Sequence, residues 1–254
     1  MFQTIVKIFL LVIITAAITP FIRKLAFVLG AVDNPNARRI NKKPMPTIGG
    51  LAIFVAFNIG EFVLLRKDFP THELFSVLLA SSVIILTGLI DDILELKPRQ
   101  KMFGIFVASL VVYFLAGIKV RELSLPFLGH IQLGWWSFPL TIFWILALTN
   151  AVNLIDGLDG LATGVTLISL VTMGIVGFFF LKSWQHYVPI MCIMLAACLL
   201  GFLPYNFHPA KIFLGDTGAL YIGFMISVLS LKGLKNVTFV SLLVPILILG
   251  VPIT

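Results

Sequence analysis

Apolar residues run along this chain in blocks of 14 to 21 residues, separated by short stretches where charges, amides, prolines and glycines gather. A helix needs about 20 residues to cross a bilayer's hydrocarbon core, within a range of about 17–25. Nine blocks reach or approach that length: 2–22, 48–65, 74–90, 102–118, 135–148, 161–181, 187–204, 218–231 and 237–254. The fifth and eighth are short and are expected to extend into the polar motifs beside them. The pattern predicts an all-α, polytopic integral membrane protein with about nine transmembrane helices. The first block exceeds the apolar core of a signal peptide and is followed by more membrane-like sequence, so it reads as an uncleaved span.

Composition agrees with the pattern. The 254 residues are 59% hydrophobic and 11% charged, against roughly 25% charged in a soluble domain. The net charge of +7 suits loops near anionic headgroups or an anionic substrate, and does not by itself call for nucleic acid. Cys192 and Cys198 lie within one apolar block, which argues for packing over a disulfide network or a thiolate metal site.

Alternation of spans sorts the loops into two sets. With the N-terminus outside, the inner loops are 23–47, 91–101, 149–160 and 205–217. They hold ten of the eighteen basic residues, six of them in the first loop, which places this set in the cytoplasm. The same loops carry Asp33, Asp91, Asp92, Glu95, Asp156, Asp159 and Asp216, seven of the eleven acids. Four separate loops thus deliver carboxylates, amides and cations to one membrane face. Glu61 stands apart inside the second block and is expected near the outer edge, paired with Arg66 or Lys67 or protonated.

Three segments have the makings of a reaction site. In GLIDDILELKPRQK, Asp91 and Asp92 end an apolar helix, and adjacent carboxylates repel unless a cation or shared proton offsets them. Such a pair suits Mg²⁺ binding or general-base work, with Arg99 and Lys101 near enough for phosphate oxygens. NAVNLIDGLDG places Asn150, Asn153, Asp156 and Asp159 within ten positions, whereas a helix cap uses one polar group. NFHPAKIFLGDTG sets Asn206, His208, Lys211 and Asp216 just before the next span. Ahead of them, RRINKKPMPTIGG offers clustered cations for an anion.

In this order, AVDNPNARR, PMPTIGGL, GLIDD with KPRQK, NAVNLIDGLDGLATG and NFHPAKIFLGDTGAL closely resemble the motifs of the polyprenyl-phosphate N-acetylhexosamine-1-phosphate transferase family, glycosyltransferase family 4 type. The resemblance covers roughly residues 31–220, and the wording of the last motif is most similar to the branch that initiates teichoic-acid linkage units. It implies transfer of N-acetylhexosamine-1-phosphate, most readily GlcNAc-1-phosphate, from a UDP-N-acetylhexosamine to undecaprenyl phosphate. UMP would leave, and the product would open a cell-wall polysaccharide. The cofactor implied is Mg²⁺, or Mn²⁺ in its place.

Carried over by motif, Asp91 and Asp92 match the catalytic acidic pair, with Asp91 as the base toward the lipid phosphate. Asp216, Asn153 and Asp92 match the metal site. Asp156, Asp159, Asn206 and Lys101 match substrate contacts, as does either Lys42 or Lys43. Asn41 stands where many relatives carry His. The family also continues past residue 254 to a His-bearing cytoplasmic loop, so residues 1–254 are expected to be one transmembrane transferase domain cut short at its C-terminus. The expected location is the bacterial cytoplasmic membrane, with membrane lipids, the two substrates and a second copy of the chain as candidate partners and no nucleic acid. Two alternatives stay open: a phospho-MurNAc-pentapeptide transferase, and a membrane cation or solute transporter, whose polar groups should reach the midplane.

Overall fold

The computed structural model describes residues 2–34, 43–64, 71–125, 129–181 and 187–233. Eight helices dominate it: α1 (Phe2–Leu29), α2 (Gly50–Ile59), α3 (Thr71–Leu94), α4 (Pro98–Phe114), α5 (Ser137–Ile155), α6 (Leu161–Phe180), α7 (Tyr187–Asn206) and α8 (Gly215–Gly233). Five stretches are long and apolar enough to cross a membrane: Thr4–Leu29, Thr71–Leu94, Gly134–Ile155, Leu161–Phe180 and Tyr187–Asn206. The protein is a multi-pass membrane protein of all-α class. The ninth apolar block, 237–254, lies outside the described residues.

Element boundaries follow local chemistry. α5 runs on into the Asn153 motif and α8 starts inside GDTG, so both short blocks extend as expected. α1 outruns its block by seven residues and passes straight through Pro20. α4 begins at Pro98, whose missing N–H costs nothing at a first helical position. Its end at Phe114 falls short of residue 118, because the chain turns through Gly117 at φ +63°. Two short antiparallel pairs escaped the apolar pattern: β1 (Val32–Asp33) with β2 (Met45–Pro46), and β3 (Glu122–Leu125) with β4 (Gly129–Gln132).

α8 is the centre of the bundle. Every residue from Thr217 to Lys232 is buried, and the helix touches α2, α3, α5, α6 and α7. Outer helices turn apolar side chains away from the protein, as lipid-facing surfaces must: Phe9 and Phe21 of α1 are 64% and 69% exposed. Within hydrocarbon, helices gain little from hiding apolar area and depend on close packing and polar contacts. The start of α2 shows the first of these. A Cβ on Gly50 would strike the backbone of Gly218, so the two helices meet main chain to main chain.

Glu61 lies in a π-helical turn, Gly60–Leu64, that continues α2, and at 1% exposed it is buried and not at a solvated edge. The turn directs it into the bundle; Arg66 and Lys67 fall outside the described residues.

The chain therefore ends each of its polar motifs at one end of the bundle: the C-termini of α3, α5 and α7, and the N-termini of α2, α4, α6 and α8. Gly50→Val should lower stability by about 1–3 kcal/mol through overpacking. Gly164→Val, where an added Cβ meets nothing within 4 Å, should leave it unchanged; thermal unfolding of the detergent-solubilised variants checks both.

Candidate active site

The last turn of α3 sends two consecutive carboxylates in different directions. Asp91 is 4% exposed; its Oδ1 accepts the Leu96 N–H at 2.7 Å and its Oδ2 lies 2.5 Å from Lys101 Nζ. Asp92 turns toward α8. Its Oδ1 accepts the Asp216 N–H at 3.0 Å, and its Oδ2 accepts the Thr217 N–H at 3.0 Å and the Thr217 hydroxyl at 2.5 Å. Adjacent helical residues lie about 100° apart around the axis, which is why neighbours in sequence reach different helices.

Lys101 rises from the first turns of α4 and joins the two sides. Its Nζ is 2.9 Å from Asp216 Oδ1 as well as bonded to Asp91. Asn153, in the last turn of α5, donates from Nδ2 to the same Asp216 oxygen at 2.5 Å. Asp216 thus collects an ammonium and an amide from two other helices.

The remaining predicted residues line the wall. Asp156 caps the end of α5. Its pKa is pushed up to about 7, first by burial and then by the charges of Asp216 and Asp92. Asp159 Oδ2 accepts the Ala210 N–H at 3.1 Å and meets His208 Nδ1 at 3.1 Å. Asn206 is buried, accepting the Thr163 hydroxyl at 2.7 Å and donating to the Ile212 carbonyl at 3.2 Å. Asp159 and Asn206 together hold the segment between α7 and α8 that leads into Asp216.

Backbone bonds bring the first loop to the same place. Phe213 N–H donates to the Pro46 carbonyl at 2.8 Å, and the Gly49 and Gly50 N–H groups donate to the Phe213 and Leu214 carbonyls at 3.1 and 3.0 Å. Gly215 turns the chain into α8 at φ +71°, with any Cβ blocked by the Thr47 carbonyl.

The result is a cleft of about 1140 Å³, partly open to solvent, into which Asp91, Asp92, Lys101, Asn153, Asp156, Asp159, Asn206 and Asp216 all face. Lys43 is exposed and is not among the lining residues; Lys42 lies outside the described residues. Asp33, Thr47 and Glu95 also line the cleft, and Thr217 braces Asp92 from just behind it. Of these, Asp33 and Glu95 were marked only by their sidedness. The hydroxyl of Thr217 had a signal in its place beside Asp216 in GDTG, and Thr47 had one in PMPTIGG.

Among the described lining residues, seven carboxylates face one ammonium, that of Lys101. An anionic ligand would be repelled from such a wall without added positive charge. The donors are hard oxygens together with an amide that presents oxygen when rotated by 180°, a set suited to Mg²⁺.

The profile of glycosyl transferase family 4 matches residues 74–234, a range that holds every cleft residue from α3 onward. The chain is 43% identical over 238 residues to a probable undecaprenyl-phosphate N-acetylglucosaminyl 1-phosphate transferase of Bacillus subtilis (strain 168), covering 93% of the chain and 65% of that protein. It is 36% identical over 222 residues to the phospho-N-acetylmuramoyl-pentapeptide-transferase of Clostridium botulinum (strain Eklund 17B / Type B), covering 84% of the chain and 67% of that protein. Against the enzyme of the same name from Listeria monocytogenes serovar 1/2a the figures are 32% over 227 residues, 84% and 68%. The chain spans about two thirds of the length of these relatives. With the profile matched over more than half of its residues, the chain belongs to glycosyl transferase family 4.

Proposed function

We propose that this protein transfers N-acetylglucosamine-1-phosphate from UDP-GlcNAc to undecaprenyl phosphate and releases UMP, at the cytoplasmic face of a bacterial inner membrane. The supporting observation is the cleft itself, where Asp91, Lys101, Asn153 and Asp216 from four helices meet within bonding distance at one end of the bundle. The choice of sugar leans on the name of the 43%-identical relative. The 36%-identical relative motivates UDP-MurNAc-pentapeptide as the competing donor.

A diphosphate and a phosphate monoester repel each other, so bringing them together demands charge neutralisation and alignment. Asp216 and Asn153 would hold Mg²⁺, or Mn²⁺, which when bound supplies positive charge to the diphosphate. Lys101 adds a fixed ammonium beside it. Asp91, held against Lys101, is placed to accept the proton of the lipid phosphate. Asp156, Asp159 and Asn206 form the wall against which the nucleotide sugar rests. The acceptor's long tail stays among the apolar helix faces, with only its phosphate reaching the cleft at the bundle end.

UMP release from UDP-GlcNAc by the protein should require undecaprenyl phosphate and stop on chelation of divalent metal. Asp216→Asn should cut kcat by at least about 100-fold. Turnover confined to UDP-MurNAc-pentapeptide in a competition analysed by product mass would reassign the donor.

Asp156 makes a second, independent prediction. Its proton is kept to about pH 7 in the folded chain but is lost near pH 4 on unfolding. The folded state therefore binds more protons in that window, and its stability falls as pH rises through it, levelling above about 7. The unfolding midpoint of metal-free protein should show this fall, and Asp156→Asn should reduce the slope by the equivalent of about one proton; an unchanged slope would count against the assignment.

A further inference from the structure

The cleft contains two neighbouring aspartates, and their bonding differs in kind. Asp91 pairs with an ammonium. Asp92 has both oxygens taken by the first turn of α8: two backbone N–H groups, from Asp216 and Thr217, and the Thr217 hydroxyl. The first N–H groups of a helix have no partner within it and carry the positive end of its dipole. A capping side chain normally comes from the residue just before the helix; here the carboxylate comes from a different helix, 124 residues earlier in the chain.

Docking of the two helices makes this reach available. Gly88 precedes Asp92 by four positions and shares its face of α3. A Cβ on Gly88 would run into the backbone of Thr217, so α3 and α8 touch main chain to main chain one turn before the carboxylate. Asp92 then fixes both the height and the rotation of the first turn of α8. That turn carries Asp216, whose carboxylate must meet Lys101 and Asn153 at once.

We infer that Asp92 is a positioning residue that acts through α8, holding Asp216 in place, and is neither a metal ligand nor a proton acceptor. This reverses the role that the motif resemblance suggests for it. It rests on the proposed function only in taking Asp216 as the residue that meets the metal. A charge-assisted bond from a carboxylate to a helix N-terminus is well suited to such a role, being short, directional and roughly twice as strong as a neutral one.

The test uses two readouts that do not depend on turnover: Mn²⁺ binding followed by electron paramagnetic resonance, and backbone amide hydrogen exchange over residues 215–220. Asp92→Asn should raise exchange in that segment at least about tenfold while weakening Mn²⁺ binding less than about tenfold. Asp216→Asn should do the opposite, abolishing Mn²⁺ binding and leaving exchange within about twofold. Thr217→Ala, a milder change that removes one of the three bonds, should raise exchange about threefold and keep the metal. Loss of Mn²⁺ in Asp92→Asn as complete as in Asp216→Asn, with exchange unaltered, would overturn the inference. Should the unmodified protein bind no Mn²⁺, the metal reading of the cleft falls, and exchange alone decides the capping role: raised in both Asp92→Asn and Thr217→Ala it stands, unaltered it fails.

Discussion

The structure turns on how negative charge is compensated at one end of an apolar bundle. Among the described lining residues, seven carboxylates share a cleft with one ammonium, that of Lys101. At such density each acid needs its own partner, since taking an ion out of water without one costs several kcal/mol. Lys101 serves two acids, Asp91 and Asp216, from one nitrogen. Asp92 is served by a helix end, Asp159 by a backbone N–H and a histidine ring. Asp156 has no such bond among the described residues and keeps its proton up to about pH 7. These are different solutions to one electrostatic problem, and together they lock α3, α4, α5 and α8 to one another.

A binding site follows from the same arrangement. Lys101 and the first turn of α8, which settle Asp91, Asp92 and Asp216, are largely interior to the protein, whereas the His208 ring beside Asp159 is exposed. Under the proposed function, a phosphate ligand would enter such a wall together with added positive charge, which would make metal and diphosphate mutually dependent guests. Among the described lining residues, Lys101 alone would not offset both the wall and such a ligand. Placing this chemistry at helix ends, where orphan N–H groups and water are at hand, spares the hydrocarbon region from burying it.

Much of this was legible in the sequence, and the physical reason differs by feature. Helices were readable because a bilayer imposes a length on apolar runs: the first eight blocks each became a helix, and among the described residues five stretches are long and apolar enough to cross a membrane. Eight proposed site residues converge because alternation of spans fixes which loops share a face. The ends of α4 and the two strand pairs were not readable, since a proline start, a glycine turn and pairings of two and four residues leave little periodic trace. Nor was the division of labour between Asp91 and Asp92. Adjacency in sequence says that two acids are close; only the helix angle and the neighbours of each say which charge each one meets. Lys43 shows the opposite limit, a cation attractive by composition that is exposed and not among the cleft's lining residues.

α8 shows why the far end of the bundle matters to the site. Its middle is mostly apolar, with the Trp144 indole N–H donating to the Ser230 hydroxyl at 3.0 Å, and apolar contacts alone leave a helix some freedom to slide or rotate. Its ends remove that freedom. At one end Asp92 grips the first turn; at the other Lys232 bonds to the Glu73 carboxylate of α3 and lies 4.5 Å from the centre of the Tyr187 ring of α7. The two charged contacts are sixteen residues apart, about 24 Å at about 1.5 Å per residue, close to the thickness of the hydrocarbon core at about 30 Å. Both are made to the same helix, α3, which carries Glu73 near its start and Asp92 near its end. Two charges on α3 therefore hold two points on α8, and the register of that pair sets where Asp216 stands. A strongly hydrophobic helix is in this way given one position by its few polar residues, and the accuracy of the cleft depends on contacts across the full thickness of the bundle.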